Sequence, residues 1–125
     1  MHATYLSVFL KNTLFITFIT LLLTSCYMPP NIEGFDSDEW EQSLSSCDSY
    51  RMEQAENLIK QKEALLTSNQ NEITALLGNP SLHKLFNRNQ KFFFYQLDCE
   101  NTRRLAIRFD ALGRVKEVQI EIVSN

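Results

Sequence analysis

The sequence is poor in the residues that build active centres. It has two histidines, His2 and His83, and three cysteines, Cys26, Cys47 and Cys99, in 125 residues. No Cys-x-x-Cys pair occurs, which removes the usual redox motif. His83 alone, with the cysteines otherwise engaged, falls short of the four ligands of a structural zinc site. Gly-x-Ser-x-Gly, the phosphate-cradling loop, G-x-G-x-x-G and H-E-x-x-H are all missing. The acids Asp98 and Glu100 stand beside Arg103 and Arg104, where solvated ion pairing is the simpler use of a carboxylate. The three glycines, Gly34, Gly78 and Gly113, fall where turns and caps use them. The expectation is a non-enzyme with no metal, no cofactor and no small-molecule substrate. Excess positive charge is lacking too: the net charge is −3, which gives no reason to expect nucleic acid. What remains, 44% hydrophobic and 22% charged residues, is the composition of one ordinary folded domain.

The first 25 residues differ from the rest. They hold Lys11 and no acid, then the apolar run TLFITFITLLL, then Thr24 and Ser25. A weakly positive start, a short apolar middle and small residues at the end form the layout of a secretory signal. Only 14 residues separate Lys11 from Cys26. As a helix they span about 21 Å, short of a hydrocarbon core of about 30 Å. A retained anchor over residues 3–25, with Lys11 inside it, is the alternative.

Leu23-Thr24-Ser25-Cys26 resembles the lipobox of bacterial lipoprotein signals. The resemblance implies cleavage before Cys26 and lipid on its sulfur and amine. Two or more acyl chains anchor stably where one does not. Tyr27, rather than Asp, follows the cysteine, which by the same resemblance implies sorting to the outer membrane. An odd cysteine in an exported chain then has a use.

Residues 26–46 read as a lipidated acidic tether. They contain Glu33, Asp36, Asp38, Glu39 and Glu41 and no Lys or Arg. Pro29-Pro30 resists helix and stiffens the exit from the membrane. Phe35 and Trp40 are the exceptions to a spacer composition. Trp40 either docks on the domain, docks on a partner, or stays partly exposed.

From residue 47 to 125 the pattern is that of a folded domain. Met52, Ala55, Ile59 and Leu66, with Leu58 and Leu65, form an apolar stripe that predicts a helix over 48–66. Asp48 and Ser49 offer N-cap chemistry. A second helix fits 70–77, with Asn69 and Glu72 in a capping-box arrangement, Gly78 as its C′ residue and Pro80 beyond. Residues 81–90 are ambiguous: LHKLF fits a short strand and RNQ a turn. After 91 the period becomes two, giving strands in KFFFYQLDC, RRLAIRFD and VKEVQIEIV. In the last hairpin Asp110 opposite Val115 sets Ile107 against Val118, Leu105 against Ile120, Arg108 against Glu117 and Arg104 against Glu121. A loop of Glu100, Asn101 and Thr102 sets Leu97 against Leu105 and Tyr95 against Ile107. The apolar face so formed is Phe93, Tyr95, Leu97, Leu105, Ile107, Phe109, Val118, Ile120 and Ile122. The expected fold class is α+β, with two helices packed on one face of a three-stranded antiparallel sheet, an ααβββ two-layer sandwich. Cys47 and Cys99 fall at the same end of it and form the natural disulfide of an oxidising compartment. The opposite sheet face carries Phe92, Phe94, Arg104 and Arg108. These are either a partner surface or are covered by the tether or by residues 82–86.

The segments ITALLGNPSL, KFFFYQL and RLAIRFDALGRVKEV, over residues 67–120, resemble the SmpA/OmlA (BamE-like) family of small outer-membrane lipoproteins. Their motifs are a short helix ending in LLG-x-P, an aromatic strand, and L-x-V-x-F-D before a G-x-V turn. The resemblance implies an ααβββ fold, an outer-membrane lipid anchor facing the periplasm, and binding of envelope proteins such as the β-barrel assembly complex. The function expected is a non-catalytic protein-binding scaffold in barrel assembly or envelope integrity, with a periplasmic inhibitor or ligand-binding lipoprotein as the alternative.

Overall fold

The computed structural model describes residues 28–124. The expected signal segment, the lipobox residues Leu23, Thr24 and Ser25, and the lipidation site Cys26 lie outside the described residues. The elements run α1 (Ser37–Ser43), α2 (Tyr50–Lys60), α3 (Gln70–Leu77), β1 (Leu82–Phe86), β2 (Gln90–Gln96), β3 (Arg103–Phe109) and β4 (Val115–Ile122). The strands form one antiparallel meander in the order β1-β2-β3-β4. The fold is α+β, with a helix and a strand more than the pattern suggested. Among the described residues no helix is long and apolar enough to cross a membrane.

The additional helix lies in the stretch that looked like spacer. Its acids start it: the Asp36 carboxylate accepts from the amides of Asp38 and Glu39 at 2.9 and 3.2 Å. Asp38 and Glu39 occupy the first turn, where the helix dipole favours negative charge. Trp40 then points inward, is fully buried, and donates its indole N–H to the Leu77 carbonyl at the end of α3. Upstream, Ile32 is buried as well. The backbone of Glu33 is held by α2: Gln61 accepts from its N–H at 2.9 Å and donates to its carbonyl at 2.9 Å, and Asn57 donates to the same carbonyl at 3.0 Å. The folded body therefore begins at Ile32, ahead of the boundary expected at residue 47.

α2 ends at Lys60 rather than 66. Beyond Gln61 the chain tightens into a 3₁₀ turn at Lys62–Ala64, which still delivers Leu65 fully buried to the core. α3 has both halves of the capping box, Asn69 accepting from the Glu72 amide and Glu72 reaching back to the Asn69 amide. Gly78 ends it at φ 76° with an extended ψ, and a Cβ there would come within 2.5 Å of the Glu41 carboxylate of the docked strap.

β3 and β4 pair with Arg104 opposite Glu121, Leu105 opposite Ile120, Ile107 opposite Val118 and Arg108 opposite Glu117. At the hairpin end a bulge sets Phe109, not Asp110, against Val115. Its cause is a competing partner: Val115 exchanges backbone bonds with Thr67 and Ser68 in the α2–α3 connection. The β2–β3 register differs by two residues from expectation, with Tyr95 against Leu105 and Phe93 against Ile107. Asp98 is the reason. Its carboxylate accepts from the Thr102 amide at 2.7 Å and from the Thr102 hydroxyl, so the turn closes earlier than a Glu100–Thr102 loop would. A shift of two preserves the faces. Phe93, Tyr95, Leu97, Leu105, Ile107, Phe109 and Val118 therefore all join the core against Trp40, Ala55, Leu58, Leu65, Ile73, Leu76 and Leu77. Ile122 does not: it lies past the helical layer and is 78% exposed.

Candidate interaction surface

The helices seal one sheet face, and no helix covers the other among the described residues. Alternation along β2 and β3 places Phe92, Phe94, Arg104, Ala106 and Arg108 on it, joined by Glu117, Gln119 and Glu121 of β4. The Arg104 guanidinium lies over the Phe94 ring at 3.8 Å from its centroid and pairs with Glu121 at 2.5 Å. Arg108 reaches one oxygen of Glu117 through Nε at 3.1 Å and Nη2 at 3.0 Å. The four residues expected to form a partner surface are thus brought together, but not equally offered. Phe94 is buried, roofed by Arg104 and set opposite Leu82 of β1. Phe92 is half-buried, stacked on Phe94 at 5.8 Å and met edge-on by Phe86 at 4.9 Å. The fourth strand causes both changes, because it extends the sheet beyond Phe92 and Phe94. The exposed apolar surface moves outward with it: Leu82, Leu85 and Phe86 are 43%, 67% and 49% exposed.

Two hollows are lined by described residues. One, of about 180 Å³, is lined by Ser81, Leu82, Phe94, Gln96, Asn101, Arg104 and Val123. It is smaller than the roughly 300 Å³ at which small-molecule sites begin. The other is a shallow dish of about 240 Å³ between Glu39, Ser43, Asp48 and Tyr50. The Tyr50 hydroxyl donates to Glu39 at 2.9 Å. Burial first, then Glu39, push its phenol up to about 12, so it stays protonated at neutral pH and is no base. His83 lies on β1 edge-on to Phe93, with no metal-type cluster around it among the described residues.

Cys47 and Cys99 stand at disulfide distance, Cα to Cα 5.4 Å, linking the end of the strap to the turn after β2. The residue that the sequence reading missed is Arg51. It is buried and lies over the Trp40 ring at 4.4 Å. It donates Nε to the Trp40 carbonyl and to Ser43 Oγ, Nη2 to the Trp40 carbonyl, and Nη1 to the Gln96 carbonyl at 2.8 Å. One cation thereby ties α1, α2 and β2 through carbonyl oxygens. Burial pulls the guanidinium below the usual arginine value. The available signal was its place on the apolar stripe of α2, four and seven residues ahead of Ala55 and Leu58.

Compared with protein-family models, with curated proteins and with solved structures, the chain matches none.

Proposed function

We propose that the chain is a non-catalytic, lipid-anchored protein-binding scaffold of the outer membrane that faces the periplasm and resembles the SmpA/OmlA family in role. The observation that carries this reading is the outer sheet face. It is a ladder of arginine–glutamate pairs, Arg104 with Glu121 and Arg108 with Glu117, around stacked Phe92 and Phe94, and it ends in exposed Leu82 and Phe86. Arginine and aromatic residues side by side are the composition of protein–protein contact surfaces.

The strap gives the anchor a mechanical meaning. With lipid on Cys26 and Ile32 held in the core, six Cα steps separate membrane from body. Fully extended they span roughly 20 Å. The domain then works within about one domain radius of the bilayer and not at the end of a 20-residue leash, so its partners are membrane-embedded or membrane-bound proteins. Two measurements test the reading. An intact mass of the membrane-extracted protein is expected to show cleavage before Cys26 and acyl mass on it. A photo-crosslinking residue at position 119, exposed on the outer face midway along β4, is expected to capture an outer-membrane protein in cells. An unprocessed, unacylated chain with no envelope crosslink contradicts the reading.

A further inference from the structure

β1 is the one strand whose five residues are all exposed. It is an edge of the sheet, with β2 on one side and no strand on the other among the described residues. An edge strand presents alternate backbone N–H and C=O groups to solvent, ready to pair with another chain. Its side chains add to that. On the outer face stand Leu82, Lys84 and Phe86, and on the other face His83 and Leu85, past the cover of the helices. Phe86 continues inward through Phe92 to Phe94, so the outer row is an aromatic track that runs out at the edge.

The charge of this region is one-sided. Between Glu72 and Asp98 the chain carries Lys84, Arg88 and Lys91 and no acidic residue. Lys84 and Arg88 make no ion pair among the described residues, whereas Arg104 and Arg108 on the same sheet are both paired. Arg104 and Arg108 are thus neutralised within the molecule, whereas Lys84, like Lys116 on β4, pairs with no acid among the described residues. Lys84 differs from Lys116 in standing on the edge strand between the apolar Leu82 and Phe86.

We infer that β1 is a docking edge for an extended segment of a partner protein that adds as a fifth, antiparallel strand. This rests on the scaffold reading above and names the partner's chemistry. The segment places an acidic side chain opposite Lys84 and apolar side chains two residues to either side, opposite Leu82 and Phe86. It places a further apolar side chain opposite Leu85. Main-chain bonds along the edge supply affinity and these alternate positions supply selection. A second copy of this chain is the poorer occupant. Self-pairing in the register that joins Leu82 to Phe86 of the other copy sets Lys84 directly against its own counterpart, and like charges directly opposite destabilise a strand pair.

The test uses the full chain, isotope-labelled in mild detergent micelles. The probe is the blocked peptide Ser-Thr-Val-Val-Glu-Thr-Val-Thr-Ser, with the same peptide carrying Lys in place of Glu as control. Saturable amide shifts are expected at residues 82–86, with the Glu peptide binding roughly fivefold or more tighter than the Lys peptide. Lys84→Glu is expected to reverse that preference, and Leu85→Glu to weaken both peptides. Both substitutions are on exposed side chains and leave the fold intact. The inference is overturned by any of four results: no saturable shift, equal affinity for the two peptides, shifts centred on residues 104–108, or self-association through 82–86. If it is overturned while position 119 still captures an envelope protein, the scaffold reading stands without it. If the crosslink fails too, both fall.

Discussion

The strap of residues 32–46 has no apolar period and five acids, yet it buries Ile32 and Trp40. β1 has a strand's composition and pairs fully with β2, yet all five of its residues are exposed. The difference lies in what each segment's polar groups meet. Trp40 finds a helix-end carbonyl at Leu77, Glu33 finds two amide side chains one helical turn apart, and Arg51 gathers the carbonyls of Trp40 in α1 and Gln96 in β2. Each bond removes a desolvation cost that would otherwise keep the strap in water. β1 has its ladder on one side and, among the described residues, no layer over its faces. Regular backbone structure and burial are thus separate achievements: the strap is buried because it is fastened, and β1 is ordered without being covered.

That contrast can be broken most forcefully at Trp40. Trp40→Ala is expected to cost about 3–5 kcal/mol in denaturant unfolding, while Leu85→Ala on β1 stays within about 0.5 kcal/mol. Equal effects at the two sites would erase the distinction. Next in size is the Cys47–Cys99 link, which closes the strap's far end across 52 residues of sequence. Replacing both cysteines by serine is expected to lower stability by about 3 kcal/mol under oxidising conditions and by nothing under reducing ones. Smaller again is Gln61→Ala, which removes two of the three side-chain bonds to the Glu33 backbone and leaves that of Asn57. About 1–2 kcal/mol is expected, with faster proteolysis between residues 28 and 36. The gentlest effect is on pH. The folded-state Tyr50 phenol, raised to about 12 from 10, contributes stability that is fully present below pH 10 and is lost as pH rises through about 12. Tyr50→Phe is expected to remove that part of the alkaline decline, followed by circular dichroism. Burial also pushes Tyr95 up, so some decline persists in the variant.

The legible parts of the fold were those in which short-range pattern and pairing agree. The alternation of Arg104 and Arg108 with Leu105 and Ile107, matched by Glu117 and Glu121, admits one β3–β4 register. Asn69, Glu72 and Gly78 bracket α3 by local chemistry alone. The β2–β3 register slipped by two because either choice preserves the buried face, and only the Asp98–Thr102 turn distinguishes them. The bulge at Val115 was not legible, since its cause is a loop 47 residues away in sequence. The strap was hidden because a single tryptophan with a carbonyl partner leaves no period to read. The candidate surface was half legible. Phe92, Phe94, Arg104 and Arg108 do share a face, but their exposure depended on whether LHKLF was a strand. As β1 it covers Phe94 and becomes the exposed edge itself.

Native-state amide hydrogen exchange tests the central contrast most directly, because it reads the strap and the edge in one experiment. The amides of α1, Trp40 to Ser43, are expected to exchange only with global unfolding, as slowly as those of Leu105 and Ile107. Those of β1 exchange through local opening, orders of magnitude faster. Strap amides that exchange as fast as β1, with β1 no faster than β3, would contradict it.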